Sequence, residues 1–435
     1  MRIKSLVIYT GFVLLLLTVA IPAWPASVQV QFPYDIDNFP YNWISAPTTT
    51  AARGPEDVDW NMDGFYSAPT PTVKYMRLGA TDGYSRMADG QDLYTFGFID
   101  LTGVPETISL PSITTDIMQE GFNKANFPAP TIVMNEGDEF YLNVSNIGMK
   151  LRPDLFDPHT VHFHGFPNAA SVFDGEPMAS FGIRMMSTFT YYYRPVDPGT
   201  YMYHCHVEAT EHMEMGMLGN LVVRPRQNGT TFNFNGTNYT QFAYNDGDGS
   251  TGYDVEAMIK IADFDPEFHK RDEIFQPPRF AEYEARYFML NGRGYPDTIN
   301  PAEITNSTNN YAAQKIHSRI AVTRPGQRTI LIRLINLSIQ NFTNIEIPGL
   351  PIKAAGRCAK LLRGPNPTLG TGPGAGNDTS YYVSSMLVGP GESVDLIIDT
   401  QGVAAGTYYL FSRNLEQLNN DMMDRGGVMT EIVIN

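Results

Sequence analysis

Short runs in which apolar and polar residues alternate recur along most of the chain. Such runs predict β-strands, because successive side chains of a strand point to opposite faces. The clearest in the first half are DLYTFGFIDL, TIVMNEGDEFYLNVSN, HTVHFHGF, TFTYYYRPVDPGTYMYHCH and GNLVVRP. Turn signals such as NEGD and VDPGT interrupt them. This pattern predicts an all-β fold of the sandwich or Greek-key barrel type.

A second series of predicted strands fills the C-terminal half, and both halves carry a GTYM or GTYY element near their end. We therefore predict two related β-domains, over residues 91–226 and 251–435. The polar, Gly- and Asn-rich residues 227–250 are interpreted as the linker between them. Residues 27–90, rich in Pro, Asn, Asp and Tyr, are interpreted as an N-terminal extension.

Composition agrees with this organisation. The 435 residues are 43% hydrophobic but only 17% charged, with 38 Gly and 31 Pro, which favours short strands and many turns. The net charge of −16 argues against nucleic acid as a partner, because such partners require a basic surface. An acidic surface can attract cations or a cationic redox partner, or it can simply keep an exported protein soluble.

The N-terminus has the pattern of an export signal. Arg2 and Lys4 precede an apolar run from Leu6 to Ile21, and PAWPAS follows. We predict that residues 1–26 are a signal peptide, with an uncleaved N-terminal anchor as the alternative. Both interpretations place the body of the protein outside the cytoplasm, in the periplasm or secreted, and only the second attaches it to a membrane.

Histidines are concentrated in one part of the first predicted domain. Six of the eight lie between residues 159 and 212. They fall into three short motifs, HTVHFHG at 159–165, HCH at 204–206 and HMEMGM at 212–217. Chance clustering is a poor explanation for this arrangement, and metal binding is a better one.

Strand geometry sorts these residues into two groups, because side chains alternate between the two faces. His159 and Cys205 tend to one face. Four histidines share the opposite face: His162, His164, His204 and His206. If the two strands are neighbours, two metal sites lie back to back.

The first group lacks ligands that the following loop can supply. His159, Cys205 and His212 provide two imidazoles and a thiolate, the trigonal set of a type 1 (blue) copper site. A weak axial thioether would complete it. Three methionines of the loop are candidates for that position: Met213, Met215 and Met217. The alternative is a methionine-rich core loop beside buried histidines.

The second group is a platform of four imidazoles without sulfur. Sites of this kind hold copper that meets O2 or a small oxyanion, although zinc is the usual rival in histidine clusters. The position of Cys205 between His204 and His206 favours copper, because electrons can pass from one site to the other along the backbone. The alternative is that some of these histidines only form hydrogen bonds in the core.

The remaining ionisable residues near the motifs are less informative. Glu208, Glu211 and Glu214, and Asp154 and Asp157, are expected to be solvated loop charges, although carboxylates beside a metal can orient imidazoles, relay protons or bind a cationic substrate. The second cysteine, Cys358, is expected to be a small buried core residue. A thiolate bound to a metal would not be available for a disulfide with it.

At this point the sequence resembles the multicopper oxidases, including the laccases and their two-domain relatives. PHTVHFHGF is similar to the H-P-x-H-x-H-G element of that family, and YHCHVEATEHMEMGM to its H-C-H-x3-H-x4-(M/L) element. PTIVMNEGDEF, FMLNGRGYPDT, RPGQRTILIRLINLS and MLVGPGESVDLIIDT resemble further elements of the family. The resemblance covers most of residues 90–435.

The resemblance implies a Greek-key cupredoxin-like barrel for both domains. It implies that His159, Cys205 and His212 are type 1 copper ligands and that Met217 is the axial ligand. The four-histidine platform would be half of the ligand set of a trinuclear cluster of type 2 and type 3 copper.

The chain departs from the family in two respects. The loop from Cys205 to His212 is two residues longer than the common laccase spacing. The family cluster uses eight histidines, whereas the second domain here contributes only His269 and His317, neither in an H-x-H pair. The second domain is therefore predicted to lack copper ligands, and a complete cluster would need another chain, such as a second copy in a homo-oligomer.

The leading functional hypothesis is a copper-dependent oxidoreductase of multicopper oxidase type. A small-molecule or metal-ion donor would deliver electrons to the type 1 site, and O2 would accept them at the platform. One alternative is an enzyme similar to copper nitrite reductase, although His162 stands where that family carries an acidic residue. Another is a non-catalytic cupredoxin that carries electrons or binds copper.

Overall fold

A computed structural model describes residues 73–104, 115–364 and 376–435, which all belong to one compact unit. Strands dominate the described residues. Those of the first half are β1 (Val73–Arg86), β2 (Asp92–Asp100), β3 (Ile132–Asn135), β4 (Glu139–Gly148), β5 (His162–His164), β6 (Ser187–Tyr193), β7 (Gly199–His204) and β8 (Leu218–Arg224). A short hairpin follows, made of β9 (Phe232–Phe234) and β10 (Thr237–Tyr239).

The strands of the second half are β11 (Val255–Phe264), β12 (Tyr287–Leu290), β13 (Ile304–Thr305), β14 (Ala312–Gln314), β15 (Ile320–Val322), β16 (Thr329–Asn336), β17 (Thr343–Glu346), β18 (Ile352–Arg357), β19 (Lys360–Leu361), β20 (Tyr381–Val383), β21 (Ser385–Val388), β22 (Ser393–Asp399), β23 (Gly406–Ser412) and β24 (Met429–Ile434). The α-helices of the described residues are α1 (Thr115–Gly121), α2 (Ala209–Glu214) and α3 (Pro266–Glu273). One-turn 3-10 helices lie at Ser171–Phe173, Phe280–Glu282, Asp297–Ile299 and Leu415–Gln417.

The two halves repeat one topology. In the first half, one sheet has the order β2-β1-β4-β6 and the other β3-β8-β7-β5. In the second half, β12-β11-β16-β22 and β15-β24-β23-β17 occupy the same positions, and the parallel pairs recur at the same places. The GTYM and GTYY elements begin the equivalent strands β7 and β23. The prediction of an all-β fold is confirmed.

Each half encloses an apolar core between its sheets. The first core includes Leu142, Tyr191 and Cys205, and the second includes Leu334 and Ile432. Strand β16 (TILIRLIN) is buried along its whole length. Its residues do not alternate between buried and exposed, because its second face packs towards β7 of the first half.

Buried polar groups connect the two halves. Arg333 of β16 is completely buried and its Nε lies 2.7 Å from Glu256. Its guanidinium also donates to Thr200 Oγ1 (3.2 Å), and Thr200 donates to Asp395 (2.6 Å). Because buried charges and hydroxyls require partners, these contacts fix how the halves meet.

Two predicted boundaries differ from the structure. Strand β1 lies inside the predicted extension, residues 27–90, because it pairs with both β2 and β4 and is needed to build the first sheet. The predicted linker, residues 227–250, contains the β9–β10 hairpin, and Asp246 within it is fully buried. The rest of the division into domains stays a prediction.

The predicted signal peptide or anchor, residues 1–26, lies outside the described residues, as do residues 27–72 of the extension. Among the described residues, no helix has the length and apolar character needed to span a membrane.

Candidate metal centre

The strand pair β5 and β7 positions the histidine motifs. In this antiparallel pair His162 lies opposite His204. His159 precedes β5 and is fixed by mutual backbone hydrogen bonds with Ile183. Cys205 is the first residue after β7, and its N–H donates to the carbonyl of Met217 (3.0 Å). The ends of neighbouring strands therefore bring distant motifs together.

The first site is a compact set of one sulfur and two imidazole nitrogens. Cys205 Sγ lies 3.2 Å from His212 Nδ1 and 3.8 Å from His159 Nδ1. The three side chains are at most 1% exposed, and their ligand atoms lie within 4.8 Å of one another. Two borderline nitrogen donors and a soft sulfur donor, all turned to one point, fit a copper ion.

Burial sets the protonation of these groups. Desolvation lowers the pKa of His212 to about 4 and holds that of His159 well below its usual range, further depressed by His212. Both imidazoles are therefore neutral near pH 7, as metal ligands must be. Burial also raises the pKa of the Cys205 thiol to about 11, so a bound cation is what would ionise it at neutral pH.

The three candidate axial methionines occupy different surroundings. Met213 packs against the apolar cluster between the halves, which does not contain Cys205. Met215 and Met217 are both fully buried in the same core as Cys205. The hydrogen bond from Cys205 N to Met217 O, and that from Met217 N to His212 O (2.8 Å), fix the backbone of Met217 to Cys205 and His212.

The four platform histidines lie together on the opposite side of β5 and β7. Ring centroids are 5.0 Å apart for His162 and His206, 5.4 Å for His162 and His204, and 6.0 Å for His164 and His204. His204 is buried, whereas His164 is exposed at the edge of the platform. Of the described residues, groups with three ligand atoms within 4.8 Å occur at the Cys205 site and not on this platform.

Three platform histidines are oriented by backbone carbonyls. Nδ1 of His162 donates to Asp174 O (2.8 Å), Nδ1 of His204 to Cys205 O (2.7 Å), and Nδ1 of His164 to Gly391 O (3.3 Å). Each bond places the proton on Nδ1 and leaves the lone pair of Nε2 available to a metal ion. Gly391 belongs to the second half, so that half contacts the edge of the platform.

A carboxylate pair approaches the first site from the surface. Ligand atoms of Asp157, Glu208 and His212 lie within 4.8 Å of one another. Glu208 is exposed and Asp157 half-buried, and desolvation raises the pKa of both carboxyls. The carboxylates of Glu208 and Asp157 therefore lie between solvent and the buried imidazole of His212.

Glu214 was expected to be a solvated loop charge, and the structure shows the opposite. It is 1% exposed, and it accepts hydrogen bonds from Asp265 N (2.6 Å) and the Tyr283 hydroxyl (3.0 Å). The sequence carried no signal for this burial, because the partners come from the second half of the chain. His269 on α3, also buried, faces the same carboxylate.

The second half has no cysteine where the first has Cys205. By strand topology the equivalent residue is Ser412, whose hydroxyl donates to Gln417 Oε1 (2.7 Å). Cys358 is exposed, which corrects the expectation that it is a core residue. It occupies the tight turn between β18 and β19 with φ of 47°, and that turn directs it to solvent.

Comparison with known proteins shows similarity to copper oxidases. Residues 114–228 match the multicopper oxidase family model. Copper resistance protein A of Escherichia coli is 24% identical over 334 residues, 70% of this chain and 46% of the relative. Laccase abr2 of Aspergillus fumigatus is 33% identical over 129 residues, 29% of this chain and 19% of the relative. The chain thus spans about half the length of the first relative and less of the second.

Among solved structures, the blue copper oxidase from Nitrosomonas europaea shares the fold, with a TM-score of 0.57 and 22% identity over 83% of this chain and 85% of that chain. The predicted cupredoxin-like fold is confirmed. Over residues 114–228 the chain is thus similar to the multicopper oxidases, a family of oxidoreductases that use copper.

Proposed function

We propose that the chain is a copper-dependent oxidoreductase of multicopper oxidase type that oxidises a donor and reduces O2. The observation that carries this proposal is the buried convergence of His159, Cys205 and His212. Copper bound there and on the platform would supply one-electron cycling and the reduction of O2.

The residues of the first site have separable roles. His159, Cys205 and His212 would hold the metal, and Met217 would be the weak axial ligand. The core around them excludes water and restricts their movement, so little rearrangement accompanies a change of redox state. The amide of Thr160 points to Cys205 Sγ (3.5 Å) and would stabilise its thiolate.

The platform would receive electrons through the chain itself. Cys205 is bonded through the backbone to His204 and His206, so one peptide unit on either side links the two sites. Thr160 also spans them, because its hydroxyl accepts from His206 N (3.0 Å). O2 is the proposed acceptor there.

The four platform histidines make up half of a trinuclear ligand set, so a complete cluster would take ligands from another chain. A homo-oligomer that juxtaposes two platforms is the simplest source. The exposure of the His164 side chain to solvent supports this arrangement.

The donor would approach at His212. Asp157 and Glu208 beside this imidazole favour a cationic donor, such as an oxidisable metal ion, over an anionic one. Small neutral donors can use the same approach. The N-terminal pattern of residues 1–26 supports a periplasmic or secreted location for this chemistry.

The test is the copper content per chain, with optical and EPR spectra and measured O2 uptake. The proposal predicts a blue copper, further copper on the platform, and uptake of O2 with a reducing donor. Nitrite reduction without O2 uptake would instead indicate the nitrite reductase-like alternative. One blue copper without either activity would indicate an electron carrier.

A further inference from the structure

A cavity of about 450 Å³ lies where the two halves meet, apart from the candidate metal centre. This is the size of a pocket for a small organic molecule. Segment 127–130 (Phe-Pro-Ala-Pro) forms one wall, and Ile99 and Ile316 add further apolar surface. The cavity also contains two lysines, one from β11 and one after β14.

The first of these, Lys260, is a buried ammonium group with few partners. It is 2% exposed, and the hydrogen bonds of the described residues give its Nζ one acceptor, Thr131 Oγ1 (2.9 Å). The Thr131 hydroxyl in turn donates to Asn220 Oδ1 (2.8 Å). An ammonium has three donors, so two of them have no acceptor among the described residues, and Lys260 lines the cavity.

No carboxylate of the described residues forms an ion pair with Lys260. Burial without a counter-charge lowers its pKa to about 7. Retaining a charged group there is costly unless an anion neutralises it. A lysine with this environment, on the wall of an open cavity, is a site prepared for a ligand carboxylate.

The other groups of the cavity refine the class of ligand. Lys315 Nζ lies over the Tyr311 ring at 4.7 Å from its centroid and adds positive charge at the exposed side. Glu303 (3.3 Å) partly neutralises it. Asp100, also exposed, disfavours a ligand with several negative charges. The apolar wall requires an apolar portion in the ligand.

We infer that this cavity binds a monocarboxylate with a compact apolar body, its carboxylate held by Lys260 Nζ and its body packed on Pro128, Pro130 and Ile316. This site goes beyond the proposed oxidoreductase function and does not depend on it.

Isothermal titration of the copper-loaded full chain with sodium benzoate tests this site. Benzoate is expected to bind, and Lys260→Met is expected to weaken binding about tenfold or more, the value of a charged hydrogen bond. The matched control is Lys270→Met, an exposed lysine on α3, which should bind as the parent does. Sodium phosphate should bind more weakly than benzoate.

Absence of benzoate binding at millimolar concentration, or equal binding by Lys260→Met, would overturn the inference. If phosphate bound as tightly as benzoate, the inference that the ligand has an apolar body would be overturned. A labelling experiment on the unmodified chain is independent of whether the variant folds. Benzoate should slow acetylation of Lys260 by acetic anhydride and leave Lys270 unaffected, as peptide mass spectrometry would measure; equal rates at Lys260 with and without benzoate contradict the site.

Discussion

Glu214 Oε1 lies 3.6 Å from His269 Nε2, and both side chains are completely buried. His269 Nδ1 donates to Tyr94 O (2.5 Å), so Nε2 is turned to the carboxylate. Glu214 belongs to the helix that carries His212, whereas His269 belongs to the second half. Glu214 also accepts hydrogen bonds from Asp265 N and the Tyr283 hydroxyl. Together these contacts connect helix α2, which lies in the candidate metal centre, to the second half of the chain.

Replacing Glu214 by Ala should therefore destabilise the protein. The change removes the acceptor of Asp265 N and the nearer acceptor of the Tyr283 hydroxyl, whose other acceptor, Asp263 Oδ1, lies 3.5 Å away. The loss of these buried hydrogen bonds should cost roughly 2–4 kcal/mol of unfolding free energy. The control is Glu282→Ala, an exposed residue whose ion pair is also exposed, with an expected cost within about 0.5 kcal/mol. Denaturant unfolding measures both, and equal costs would show that the buried contacts contribute nothing.

Replacing Met217 by Leu should alter the first site without abolishing it. Loss of the weak thioether donor removes a ligand that tunes the potential, so the blue band should persist and the reduction potential should rise. Met213→Leu, which lies in the other apolar cluster, is the control and should leave the potential unchanged. Redox titration of both variants measures the reduction potential. A shift of the potential in Met213→Leu but not in Met217→Leu would contradict the axial assignment.

Replacing His162 by Ala should separate the two sites. Its imidazole is a proposed ligand on the platform, so O2 uptake should fall by at least an order of magnitude, since even the loss of a group that only orients a ligand costs about 10–100-fold. The blue band should be retained, because His159, Cys205 and His212 lie on the other face of the strands. His317→Ala, outside the motifs, is the control. Loss of the blue band in His162→Ala, with the fold intact, would contradict the separation.

The lowered pKa of Lys260 should make the stability of the protein depend on pH. Its pKa is about 7 in the folded chain and 10.5 ordinarily, so between these values the unfolded chain binds more protons. Stability should therefore rise with pH across this window, by at most about 1.4 kcal/mol per pH unit from this group. Below pH 7 both states are protonated and the destabilisation is fully present.

The comparison with Lys260→Met isolates this effect, since other groups titrate equally in both proteins. The difference in unfolding free energy between the variant and the parent should shrink as pH rises from 7 to 10.5. A difference that is constant over this range would mean that Lys260 is charged in the folded protein.

The parts of this site that could be predicted from the sequence are those that local periodicity encodes. The spacing of His159, His162 and Cys205 along two strands was enough to separate two groups of ligands, because strand parity is a local property. Residues brought in by tertiary packing gave no such signal. The burial of Glu214 and of Lys260 depends on contacts between the halves, which the sequence pattern around each residue does not encode.

The strands of the fold could likewise be predicted only where the local sequence pattern encodes them. Strands with clear alternation or continuous apolar runs, such as β4 and β16, were predicted. Strand β1 was assigned to the extension, because its sequence VKYMRLGATDGYSR has weak alternation and its place depends on pairing with two other strands. Helix α2 was missed because it has only six residues, too few to show a helical pattern, and follows Glu208 in a left-handed conformation.

The most direct test of the central claim is the optical and EPR spectrum of copper-loaded Cys205→Ser beside Cys358→Ser. Cys358 is the only other cysteine of the chain and is exposed, so it is the matched control. The account predicts a blue absorption band and a type 1 EPR signal in the parent and in Cys358→Ser, and the loss of both in Cys205→Ser. A folded Cys205→Ser protein that keeps the blue band would contradict it.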